Sequence, residues 1–172
     1  MLPSGEIGEL HVRGCSLFSG YVGNPDAGRA AFSADGWFRT GDLASMDEEG
    51  NVLLRGRTKD LINRGGVKFN PIDMEIAIAG HPAVAQVAIA PIPDELLGER
   101  ASCFVVLKNG TSLSFEELKA FLSERKFAKF TWPEQLAIVS DMPVTPTRKV
   151  MKAELVNRYL KATNSPQQHE RP

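Results

Sequence analysis

Residues 56–71 read GRTKDLINRGGVKFNP, and this stretch decides the fold. Two adjacent glycines, Gly65 and Gly66, lie between short runs that alternate apolar and polar residues. That pattern predicts a tight hairpin with the glycines at its tip, because short hairpin loops need residues that tolerate positive φ. Asn70 then predicts a helix cap and Pro71 the first helical position. The helix is IDMEIAIA at 72–79, stopped by Gly80. The stretch marks a change of regime: the residues upstream of it read as β, and those downstream read as mixed α and β.

On the upstream side, GELHVRG at 8–14, GWFRTGDLASM at 36–46 and GNVLLRGR at 50–57 are strand-like. DEEGN at 47–51 is a turn that needs Gly50. NPDAGRAAF at 24–32 is the one short helix candidate there. So many strand residues without a helix to cover them make a poor independent core. On the downstream side, AVAQVAIAPI at 83–92 and ASCFVVLK at 101–108 are strands, joined by a polar turn DELLGER at 94–100. SFEE at 114–117 is a capping box, opening a helix with Leu118, Phe121 and Leu122 on one face. EQLAIVS at 134–140 is a further strand. A terminal helix over 151–161 carries Leu155, Val156, Tyr159 and Leu160 on one side, and a polar tail at 162–172 is expected to be disordered.

The 172 residues suffice for one domain with part of another, and 42% apolar content suffices for a packed core. A formal charge of −1, from 20 basic and 21 acidic side chains, lacks the basic excess of a nucleic-acid binder. No apolar run has the length of a membrane span, and MLPSGEIGEL shows no signal-peptide pattern. Cys15 and Cys103 are the only cysteines, which suits a reduced, cytoplasmic chain. His11, His81 and His169 are scattered, without metal-ligand spacing.

Three features carry chemistry. Asp42, after a Thr-Gly turn at a strand edge, is a candidate acceptor for the two hydroxyls of a ribose, since a carboxylate takes two such bonds. Arg57, Lys59, Arg64 and Lys68 surround the diglycine, where cations suit phosphates and glycines let a ligand approach. Lys149 stands in PVTPTRKVMK at 143–152, on a loop stiffened by Pro143 and Pro146. Each alone is equally a turn or a solvated charge.

Together and in order they mean more. GEIGELHVRG (5–14), GWFRTGDLA (36–44), DEEGNVLLRGRTKDLINRGG (47–66) and PVTPTRKVMK (143–152) resemble motifs of the acyl-adenylate-forming enzymes. That superfamily includes acyl-CoA synthetases, luciferases and adenylation domains of peptide synthetases. NPDAGRAAF and AIAPIPDELLGERASCFVVLK (88–108) are similar to the acyl-CoA synthetase version. The resemblance runs from Gly5 to about Leu160.

The resemblance implies an α+β fold: a small C-terminal domain, with a three-stranded sheet, helices and a two-stranded hairpin, preceded by a β-rich remnant of a large N-terminal domain. The implied boundaries are 1–58, 59–161 and the tail 162–172. The implied reaction joins a carboxylic acid to coenzyme A through an acyl-adenylate, consuming ATP, with Mg held through the ATP phosphates. By position, Asp42 matches the ribose-binding aspartate and Arg57 the arginine that assists it. Lys68 matches a basic residue near the nucleotide, and Lys59 the hinge. Gly66, beside Gly65, matches the glycine lining the coenzyme A tunnel. Lys149 matches the catalytic lysine. Arg148 departs from the family, where a glycine commonly precedes that lysine; the backbone there must avoid positive φ or tolerate it. The family's phosphate-binding loop is not found in this sequence, so the fragment alone is expected to be inactive and its uncovered β part to self-associate. Two other readings stay open: an adenylation domain that loads a carrier protein, and a module that docks on a separate N-terminal partner.

Overall fold

A computed structural model describes residues 2–164. Contacts divide the chain into two compact units, one up to Leu61 and one from Ile62 onward.

The first unit is a three-stranded antiparallel sheet in the order β1 (Gly8–Val12), β2 (Phe38–Met46), β3 (Val52–Arg57). The short helix α1 (Pro25–Ala31) begins after Asn24, whose side chain accepts from the Ala27 amide. Gly50, at φ +84°, closes the β2–β3 turn as its position requires. Among the described residues of this unit only Ala44 and Ser45 are buried. Val52, Leu53 and Leu54 on β3 are each more than half exposed. This sheet has little core of its own, as its composition predicts.

The second unit holds the packed core. β6 (Val84–Asp94) and β7 (Gly98–Leu107) form a long antiparallel hairpin, and β8 (Gln135–Ile138) lies parallel to β7. The small hairpin β4 (Ile62–Arg64) and β5 (Val67–Phe69) joins this sheet through one backbone pair, Arg64 with Gly98. The three-stranded sheet and the two-stranded hairpin are thus both present.

Strand alternation assigns the faces. Ile89, Cys103 and Val105 pack with Met74 and Ile78 of α2 (Ile72–Ala79) and Leu118 and Leu122 of α3 (Phe115–Glu124). Ala88, Ala90 and Phe104 point the other way, toward Met142 and Leu155 of α4 (Lys152–Asn164). β6 and β7 are buried on both sides, which is why their sequences are nearly continuous apolar runs rather than alternating ones.

The structure adjusts several expectations. Pro71, not Asn70, occupies the cap of α2; the Asn70 side chain accepts from the Ile72 amide, 3.1 Å away, so it still satisfies a free helical donor. The turn expected at 94–100 shrinks to three residues, because the Asp94 carboxylate accepts from the amides of Leu96 and Leu97 and closes it early. The last helix runs through Asn164, so residues 162–164 of the expected tail are helical, and 165–172 lie outside the described residues. The capping box forms in full: Ser114 accepts from the Glu117 amide, and the Glu117 carboxylate accepts from the Ser114 amide.

Candidate functional site

In the first unit, Asp42 and Arg57 face each other across β2 and β3, with Arg57 Nε 2.7 Å from Asp42 Oδ1. Both side chains are about one-third exposed, so the pair is reachable from solvent. The contact uses Oδ1, leaving acceptor capacity on the carboxylate for hydroxyls. Gly41, at φ +72°, bends the strand just before Asp42. Thr40 Oγ1 accepts from the Asp42 amide and donates to the Leu10 carbonyl, which fixes the aspartate against β1. Thr58 Oγ1 donates to the Gly41 carbonyl, so the exposed Lys59 leaves from a tethered turn. A groove of about 720 Å³ in this unit is lined by Leu10, His11, Trp37, Ala44 and Met46; none of the candidate residues borders it.

In the second unit the diglycine forms the predicted two-residue loop. Gly65 and Gly66 have φ of +58° and +89°, the two positive values such a loop needs. A side chain at Gly66 would meet nothing within 4 Å, whereas one at Gly65 would touch Leu97 at 3.5 Å. The turn's conformation favours glycine at both positions, and Gly66 also leaves open space. Lys68 is exposed on β5, opposite Asn63.

Lys149 lies at the end of a three-residue hairpin loop, Pro146-Thr147-Arg148, in the α4 layer. The Arg148 amide donates to the Thr145 carbonyl, and the Thr145 amide donates to the Lys149 carbonyl, both at 2.8 Å. The Lys149 amide donates to Thr145 Oγ1. Val144 and Val150 pair below the loop. This is the bonding of a turn capped by a left-handed residue, a common three-residue hairpin closure. The left-handed residue is Arg148, at φ +61°. The backbone therefore does adopt positive φ where the family resemblance places a glycine. Lys149 itself is exposed.

Two ion pairs were not legible in the sequence because their members are far apart along it. Lys152 Nζ lies 2.7 Å from Glu75 Oε1, and Arg64 Nε lies 2.6 Å from Glu134 Oε1. Burial, and secondarily the charge of Glu75, push the Cys103 thiol up to about 12, so it stays protonated and has no nucleophilic role. No group of three or more metal-binding side chains occurs among the described residues.

The packed α+β build of the second unit is that of the C-terminal domain of adenylate-forming enzymes. Residues 73–149 match the AMP-binding enzyme C-terminal domain, and this part of the chain belongs to that family of adenylate-forming enzymes. The chain is 34% identical over 166 residues to the oxalate–CoA ligase of Saccharomyces cerevisiae, covering 96% of this chain and 30% of that protein. It is 38% identical over 152 residues to the medium-chain fatty-acid–CoA ligase of Escherichia coli, covering 88% and 27%. Among solved structures, ATP-bound MatB from Rhodopseudomonas palustris matches with a TM-score of 0.85 at 34% identity, covering 92% of this chain and 31% of that one. The chain thus spans under a third of the length of these relatives.

Proposed function

We propose that this chain supplies the C-terminal part of an ATP-dependent acid–thiol ligase. In the first half-reaction a carboxylate attacks the α-phosphorus of ATP, giving an acyl-adenylate and pyrophosphate. In the second, the thiol of coenzyme A attacks the acyl carbon and AMP leaves. The observation that carries this reading is the exposed Lys149 on a backbone-closed hairpin, in a chain related along most of its length to CoA ligases.

Two anions collide in the first step. An ammonium held between them stabilises the charge that builds in the transition state, and a stiff loop keeps it there. Lys149 takes this role. Asp42 accepts from the ribose hydroxyls, and Arg57 holds its carboxylate in place. Lys68 lies near the nucleotide, and Lys59 is the hinge between residues 1–58 and 59–161. In the second step the thiol arm passes Gly66, where the absence of a side chain leaves room, with Gly65 shaping the turn. Mg is carried by the ATP phosphates.

The test uses an enzyme assembled from this chain and the upstream portion of an adenylate-forming relative. Lys149→Ala is expected to lower acid-dependent pyrophosphate exchange about 100- to 1,000-fold, the scale of losing one charge-stabilising donor. Thioester formation from a supplied acyl-adenylate should be unaffected. Equal loss of both half-reactions would overturn the role of Lys149. Transfer to a carrier-protein thiol in preference to coenzyme A would overturn the acceptor.

A further inference from the structure

We propose that two half-buried carboxylates act as separate positioning residues, Glu75 for the Lys149 hairpin and Glu134 for the diglycine turn. The inference rests on the roles given above to Lys149 and Gly66. It assigns each half-reaction its own clamp.

Glu75 reaches from α2 around the edge of the sheet. Its Oε1 accepts from the outward amide of Ile89 on edge strand β6, 2.6 Å away, and meets Lys152 Nζ at 2.7 Å. The two side chains are 18% and 21% exposed. Lys152 is the first residue of α4, where the positive end of the helix dipole disfavours a cation. It stays there because Glu75 supplies the opposing charge. Just before it, the Met151 amide donates to the Pro143 carbonyl and closes the base of the hairpin. Removing the charge of Glu75 leaves a half-buried ammonium unpaired at that base, which is costly.

Glu134 holds the other element. Its amide donates to the Ala101 carbonyl and its Oε2 accepts from the Ala101 amide, so it is tied twice to β7. Its Oε1 pairs with Arg64 Nε, and Arg64 Nη1 donates to the Phe130 carbonyl at 2.7 Å. Arg64 directly precedes Gly65. Because β4 meets β7 through one backbone pair, this guanidinium is a main tie of the turn to the sheet. Further ties are Gly65 N to the Leu97 carbonyl, Asn63 N to Glu99, and the burial of Ile62 of β4 in the core. The two clamps share no residue.

Glu75→Gln and Glu134→Gln keep an acceptor for the strand amides and remove the charge. In the chain itself, Glu75→Gln should speed hydrogen exchange at the Thr145 and Met151 amides about tenfold while leaving Gly65 within about twofold, as local opening allows. Glu134→Gln should do the reverse. In the assembled enzyme, Glu75→Gln should lower pyrophosphate exchange about tenfold and spare thioester formation, and Glu134→Gln the opposite, on the same local-opening scale. Lys152→Arg, which keeps the first pair, should behave as the parent. If either glutamine variant fails to fold, Lys152→Gln and Arg64→Gln break the same pairs from the more exposed partner. Loosening of both elements by one substitution, or of neither, overturns the proposal. Exchange that splits as expected while the half-reactions do not would instead overturn the roles of Lys149 and Gly66.

Discussion

Replacing Arg148 by glycine should stabilise the second unit, an unusual sign for a substitution to glycine. Arg148 is pinned at φ +61° by the bond from its amide to the Thr145 carbonyl. A left-handed backbone costs an L-residue about 1–2 kcal/mol, which glycine does not incur. Glycine also loosens the unfolded chain, which takes back about 0.4–1 kcal/mol. The difference is a gain of about 0.5–1 kcal/mol, or about 2–8 °C in Tm for a domain of this scale. The exposed arginine side chain has no core contact to lose. Urea unfolding monitored by tryptophan emission checks this, in a Trp37→Phe background so that Trp132 alone reports. Trp132 is half-buried and donates to the Phe127 carbonyl, so it senses the second unit. Arg148→Ala keeps the strain and should leave stability near the parent's; Arg148→Val, β-branched, should lower it. If glycine destabilises, or alanine gains as much as glycine, the strain argument is wrong.

The second unit offers three further tests. Leu122→Ala, on the inner face of α3 and fully buried, should lose about 2–5 kcal/mol in denaturant unfolding, the range for emptying a core site. Ser114→Ala removes the cap that accepts from the Glu117 amide and should cost about 1 kcal/mol, read as fraying of α3 by hydrogen exchange. Asp94 is held below its ordinary value of 3.8, first by the Leu97 amide and then by Leu96 and Arg100. Its folded value being the lower one, its contribution is fully present above pH 3.8 and is lost as pH falls through the folded value. Acid titration below pH 3.8 should therefore open the β6–β7 turn, raising exchange at Leu97, and Asp94→Asn should remove that step.

Local chemistry along the chain determined much of this protein. Paired glycines, a Ser-x-x-Glu cap, period-two strands and a stop at Gly80 each act within a few residues, so their physics is readable in order. The resemblance rested on such local text, and the hairpin, the capping box and most elements stand where that text puts them. Two local details are less plain in the sequence: Arg148 alone does not announce the left-handed backbone that the closing bonds between Thr145 and Lys149 impose, and the Asp94 carboxylate gathers the amides of Leu96 and Leu97 and shortens the expected turn. Tertiary structure decided the rest. Glu75 meets Lys152, and Glu134 meets Arg64, only because β6 and β7 bring distant segments to one sheet. Such pairings depend on packing rather than on neighbours in sequence, and no local pattern encodes them.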